Sequence, residues 1–141
     1  MHMEFLAIIG VIAIVVFIFK KLTSSTNSDK LTMLPLENWI PMYSNGSLFQ
    51  KSNMATALVV QSIHIANGMG INISVNEFMH EKNKNKECSM DVVNQWLDYI
   101  FSEMVQDIPA SQLNALPART VGAMMIVRLA SPSRYRELLR S

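Results

Sequence analysis

Cysteine and charge are both scarce in this chain of 141 residues. The single cysteine, Cys88, excludes an intrachain disulfide and therefore a disulfide-stapled secreted domain. Charged residues make up 16% of the chain, against roughly 25% in soluble domains. The formal net charge is only +1, so no global field attracts nucleic acid or acidic substrates. Half of the residues are hydrophobic, which argues against intrinsic disorder and indicates a membrane segment.

Motifs of common catalytic and cofactor sites are also missing. The sequence contains no Walker loop and no GxGxxG, CxxC, HExxH or GxSxG pattern. His64 lies in an apolar stretch and is expected to be a core or boundary histidine, while His80 and Cys88 are the pair that a thiol enzyme would need. We therefore predict no catalytic, metal or cofactor site, no small-molecule substrate and no enzymatic activity. A small hydrolase or thiol enzyme is the third of three alternatives for function.

A long apolar run near the N-terminus is the clearest feature of the sequence. Phe5 to Phe19 contains fifteen residues without a polar side chain. With its flanks up to Leu22, the run is long enough to span a bilayer at about 1.5 Å per residue. A signal peptide fits poorly because the positive charge follows the run, and a buried core helix is the other alternative. We predict a transmembrane helix over residues 1–22. Its predicted membrane-anchoring residues are Phe5, Phe17, Phe19, Lys20 and Lys21.

Lysines after the run predict its orientation. Lys20, Lys21 and Lys30 all lie on the C-terminal side, and positive residues near a span stay in the cytoplasm. The sequence therefore predicts a single-pass membrane protein, placed in the bacterial inner membrane, with a cytoplasmic C-terminal domain. In this organisation, residues 23–30 are a polar linker and residues 31–141 form the domain.

The first half of the predicted domain carries helical periodicity. A short helical turn before Pro41 would pack Trp39 against the body of the domain. Apolar residues from Leu48 and Phe49 to Ala66 then recur at helical spacing, and Gly68 follows as the predicted C-cap. Residues 71–75 alternate like a strand, but Ser74 and Glu77 have the spacing of a capping box, so we predict a helix over residues 75–81.

The second half has the clearest amphipathic pattern. A helix is predicted over residues 89–108, with Ser89 as its N-cap and Pro109 at its end. A further helix opens at Pro117 and contains a run, Val121 to Val127, that is apolar on nearly every face. A short terminal helix, residues 134–140, follows. The fold class predicted is all-α: a transmembrane helix and a small domain of five or six helices.

Charge is distributed unevenly along the domain. Seven acidic residues and three lysines lie between Glu77 and Asp107, whereas five arginines and one glutamate lie between Arg119 and Arg140. Either the two segments neutralise each other within the fold, or the arginines bind anionic lipid or the carboxylates of a partner. The methionines before Arg128 either fill the core or form an adaptable surface. The predicted partner-binding residues are Met124, Met125, Val127, Arg128, Arg134, Arg136 and Arg140.

Together these features predict a membrane-anchored, non-catalytic interaction protein. It would be a subunit or adaptor of a larger membrane assembly, such as secretion, transport or envelope machinery. Its expected partners are membrane lipid, through residues 5–19, and a protein at the membrane, with no nucleic acid. The second alternative is an inhibitory or immunity-type membrane protein that blocks a single target.

Overall fold

The computed structural model describes residues 27–74 and 88–140, and every named element in these ranges is a helix. The prediction of an all-α domain is confirmed, although the described residues contain seven α-helices rather than five or six. A 3₁₀-helix, Met104–Gln106, lies between the fourth and fifth. The α-helices are α1 (Asn27–Thr32), α2 (Leu36–Ser44), α3 (Leu48–Gly68), α4 (Cys88–Ser102), α5 (Ala110–Ala115), α6 (Ala118–Ala130) and α7 (Pro132–Arg140).

Two of the predicted helices lie outside the described residues. They are the membrane span over residues 1–22 and the helix over residues 75–81 that the capping box predicts. Helix α1 begins at Asn27, inside the segment predicted to be a linker. Within residues 27–74 and 88–140, none of the helices combines the length and the apolar character that crossing a bilayer requires.

The core is built around α3 and α6, which make the most extensive helix–helix contact in the described part of the chain. Every residue of α6 from Ala118 to Val127 is buried, so the apolar run from Val121 to Val127 belongs to a central helix of the core. A Cβ at Gly122 would overlap the Ser62 hydroxyl and meet the Trp96 ring at 3.2 Å. The missing side chain at Gly122 therefore permits the close approach of α6 to α3 and α4.

Two prolines join the starts of α2 and α6. Pro35 and Pro117 are the N-caps of these helices and form an isolated antiparallel β-bridge. The amide that follows each proline donates to the carbonyl that precedes the other, at 2.8 Å in both cases. Proline has no N–H of its own, so it fits a helix start, where the first amides lack intrahelical partners. Pro117 is thus the N-cap of α6 rather than its first residue.

The helix predicted over residues 89–108 is shorter in the structure. Helix α4 begins at Cys88, so Ser89 lies inside it and is not its N-cap, and it ends at Ser102. The backbone then tightens into the 3₁₀-helix, in which Met104 is completely buried. The Gln106 side-chain amide donates to the Ser102 carbonyl at 3.1 Å and satisfies one acceptor at the helix end.

Both ends of α3 differ in detail from the prediction. Ser47 and Gln50 form a capping box: the Ser47 hydroxyl accepts from the Gln50 amide at 3.2 Å, and the Gln50 side chain accepts from the Ser47 amide at 2.9 Å. Gly68 is the last residue of α3 and not its C-cap. The glycine that adopts the left-handed conformation is Gly70, with φ +100°. This conformation favours glycine because it has no Cβ.

Apolar side chains of α2 and α3 differ in their burial. Trp39 is completely buried and stacks on Tyr43, with ring centroids 4.9 Å apart, as the packing prediction requires. Leu48 and Phe49 share the helical spacing of the apolar residues of α3, but they are 68% and 76% exposed. The buried residues of α3 begin at Met54, so its first turn lies outside the core.

Candidate functional site

The apolar half of the predicted partner-binding surface lies in the core. Met124, Met125 and Val127 are all buried on α6. The reason is the position of this helix, which α3, α4 and α7 all contact. The structure thus favours the core-filling alternative for the methionines. No exposed ridge forms at these positions.

Arg128 lies at the centre of a polar cluster that joins α4, α6 and α7. Its Nε donates to Asp107 Oδ2 at 2.8 Å, and its Nη1 donates to the Tyr99 hydroxyl. The guanidinium carbon is 5.4 Å from the ring centroid of Tyr99 and 5.9 Å from that of Tyr135. Such distances allow cation–π attraction to both rings. One arginine therefore contacts side chains from both neighbouring helices.

Electrostatics keep Arg128 and Tyr135 each in one protonation state. Burial by itself lowers the pKa of Arg128, but hydrogen bonds to Asp107 and Tyr99 outweigh it, and the net pKa is raised. Burial raises the pKa of the Tyr135 phenol, and the negative charge of Asp107 raises it further. Arg128 therefore stays cationic and Tyr135 stays neutral near neutral pH, as expected for a structural contact.

Arg134 has a second intramolecular role, at the end of α3. Its Nε donates to the Met69 carbonyl at 3.0 Å, and its Nη1 forms an ion pair with Glu137 at 3.0 Å. Carbonyls at a helix C-terminus lack intrahelical partners and carry partial negative charge, which a guanidinium compensates. Arg134 thus links the end of α3 to α7.

Arg136 and Arg140 differ from the other arginines of the predicted surface. Both are exposed on α7, four residues apart, and this spacing places them on one face of the helix. The opposite side of α7 carries Tyr135, which is buried, and Leu138 and Leu139, which are partly buried. Within residues 27–74 and 88–140, no hydrogen bond or ion pair engages either guanidinium. These two groups are available to a partner.

Sequence reasoning missed the environment of Arg119. This side chain is completely buried near the start of α6, and the Arg119 carbonyl accepts from the Ser62 hydroxyl at 3.2 Å. A buried charge costs several kcal/mol unless the fold compensates it. The sequence feature that could have indicated the burial of Arg119 is its position at the start of the apolar stretch that contains Gly122. Its membership of a basic segment was misleading.

The catalytic candidates are not assembled into a site in the described part of the chain. His64 is exposed on α3, contrary to the prediction of a core or boundary position. His80 and the side chain of Cys88 lie outside the described residues. Across residues 27–74 and 88–140, no group of three His, Cys, Asp or Glu side chains is placed to hold a metal ion.

Comparisons with protein-family models, curated proteins and solved structures find no match to this chain. Its function is therefore argued from its residues and their geometry. The site that the described residues offer is the exposed face of α7 with Arg136 and Arg140, which we call the α7 arginine face.

Proposed function

We propose that this chain is a membrane-anchored, non-catalytic interaction protein, a subunit or adaptor of a larger membrane assembly such as secretion, transport or envelope machinery. The observation that carries the proposal is the uninterrupted apolar run from Phe5 to Phe19, followed directly by Lys20 and Lys21. The length of the apolar run with its flanks matches the hydrocarbon core of a bilayer, and the two lysines would lie among the headgroups on the cytoplasmic side. The anchor would hold the helical domain beside its membrane partners and raise its effective concentration there.

The α7 arginine face supports a protein partner with exposed carboxylates. The planar guanidinium suits bidentate hydrogen bonds to a carboxylate. Helix α7 holds Arg136 and Arg140 in place because Tyr135 is buried against the Arg128 cluster and Arg134 binds the end of α3. Charges on a rigid element favour specific docking, because less conformational entropy is lost when the partner binds. The predicted partner surface is thus reduced from seven residues to these two.

Membrane anchoring is tested first with the full chain. We expect it to remain in the membrane pellet after alkaline carbonate extraction and to require detergent for release. A peripheral protein held by charge would be released by the same treatment. If the full chain is soluble without detergent after cell lysis, the proposal fails.

The partner surface is tested by photo-crosslinking in cells. A photoreactive amino acid at Arg136 should give a discrete adduct in the membrane fraction, whereas the same group at Asn94, which is exposed on α4, should not. Arg136→Glu with Arg140→Glu should lower recovery of the partner about tenfold, whereas the matched Arg136→Lys with Arg140→Lys, which keeps the charge but not the bidentate geometry, should lower it less. Equal recovery with both pairs of substitutions would contradict a role for the α7 arginine face. A single stoichiometric adduct outside any larger complex would favour the inhibitory alternative.

A further inference from the structure

The turn between α2 and α3 presents large apolar side chains to solvent. Met42, Leu48 and Phe49 are 47%, 68% and 76% exposed. Leu48 and Phe49 follow the N-cap Ser47 directly, so the capping box holds them in the first turn of a stable helix. We call Met42, Leu48 and Phe49 the corner surface. Adjacent exposed apolar groups of this size indicate a binding surface rather than chance exposure.

A cavity of about 340 Å³ adjoins the corner surface. Met42 belongs to both, and Gln50, which follows Phe49 in the sequence, also lines the cavity. Leu31 and Met54 add further apolar surface. The lining contains no charged side chain, and Gly46 and the amide side chains of Asn45, Gln50 and Asn53 complete it.

The covalent chain places this corner close to the predicted membrane span. Four residues separate Leu22 from the first residue of α1, Asn27, so the five Cα–Cα steps between them reach at most about 18 Å when fully extended. Helix α1 adds about 6 Å from Asn27 to Leu31, which lines the cavity. Leu31 therefore lies within about 24 Å of the end of the span, less than the ~30 Å diameter of a small domain. This distance allows the corner to face the bilayer.

The charges around the corner surface favour an anionic bilayer. Lys51 follows Phe49 by two residues, and Lys30 precedes Leu31. The one carboxylate of α2, Glu37, lies in its first turn, whereas Met42 lies near its opposite end. Apolar side chains flanked by lysines are typical of segments that insert into the interface of anionic membranes.

We propose that the corner surface inserts into the boundary between headgroups and acyl chains of the cytoplasmic leaflet, with Phe49 as its deepest side chain. This inference rests on the proposed membrane anchoring. It makes the anchor and the corner two points of attachment, which fix the orientation of the domain. The α7 arginine face is then presented in a constant direction relative to the membrane plane.

The test uses the full chain in nanodiscs of phosphatidylcholine and phosphatidylglycerol. Phe49 is replaced by trifluoromethyl-phenylalanine, and Phe101, which is 38% exposed on α4, receives the same group as the matched control. A nitroxide on the lipid headgroup should broaden the fluorine resonance at position 49 several-fold more than that at position 101. A soluble gadolinium chelate should give the opposite order.

Two results would overturn the inference. In the first, the chelate broadens both resonances alike and the nitroxide lipid broadens neither. In the second, position 49 is shielded from the chelate but unaffected by the nitroxide lipid, which would mean that a second copy or residues 5–19 cover the corner. Leu48→Ser with Phe49→Ser provides a second variant, which should still require detergent for extraction but give greater chelate access at Met42, measured through a methyl-labelled methionine. Failure of the full chain to enter nanodiscs at all would instead contradict the proposed anchoring.

Discussion

Helices α6 and α7 are consecutive, separated by Ser131, and both carry arginines, but the two helices use them in opposite ways. Helix α6 is buried along most of its length, with Arg119 in the core and Arg128 bound to Asp107 and two tyrosines. Helix α7 is amphipathic, with Arg136 and Arg140 exposed. The comparison shows that a basic segment does not define a basic surface. The position of each arginine relative to the core decides its role.

The largest expected difference between the two helices concerns Arg119. Arg119→Ala removes a completely buried side chain together with the interaction it makes, and should lower the free energy of unfolding by about 4 kcal/mol. Arg140→Ala, the control on α7, should change it by less than about 0.5 kcal/mol. Urea unfolding of the full chain in mild detergent, followed by tryptophan fluorescence, measures both. Similar losses of unfolding free energy for the two variants would contradict the proposed difference between α6 and α7.

The next effect concerns the close approach of α6 to α3. Gly122→Ala places a methyl group against the Ser62 hydroxyl, and should lower the free energy of unfolding by about 2 kcal/mol. Gly68→Ala is the matched control, since a Cβ there meets no atom within 4 Å, and it should be neutral or slightly stabilising. Adding Ser62→Gly to Gly122→Ala should recover part of the loss. A neutral Gly122→Ala, measured by the same unfolding experiment, would disprove the tight contact.

The smallest effect concerns pH and the contact between α6 and α7. Because the pKa of Tyr135 is raised in the folded chain, the unfolded phenol loses its proton first, at its ordinary pKa of about 10. The contribution of Tyr135 to stability is therefore complete below about pH 10 and decreases above it, by about 1.4 kcal/mol per pH unit. Tyr135→Phe should remove this dependence and leave that of Tyr43, whose pKa is also raised, mainly by burial. Unfolding curves between pH 9 and 11 with equal slopes for both proteins would contradict the assignment.

Much of the fold was predictable because helical signals are local. The periodicity of α3 and α4 and the short terminal helix α7 appear both in the sequence and in the structure. The errors concern helix ends, such as Ser102 rather than residue 108 for α4, where one buried methionine and one side-chain hydrogen bond decide the geometry. Such details depend on contacts that a periodic pattern does not contain.

The candidate site was predictable in part. The sequence analysis named Arg136 and Arg140, but it grouped them with Arg128 and Arg134, which bind other parts of the same domain. It also grouped Leu48 and Phe49 by their helical spacing with the apolar residues of α3 that lie in the core. In each case the residue type and spacing were informative about the helix. Whether a side chain of that helix is covered depends on residues from a distant part of the chain.

The sequence by itself determined the all-α class, the approximate extent of the main helices and the apolar run at residues 5–19, because propensity, periodicity and hydropathy act over a few neighbouring residues. Only the tertiary structure decided that Arg119 is buried, that Arg128 pairs with Asp107 and that Phe49 faces solvent. The physical reason is that burial and pairing depend on which helices pack together. That choice minimises the free energy of the whole domain rather than of any one segment.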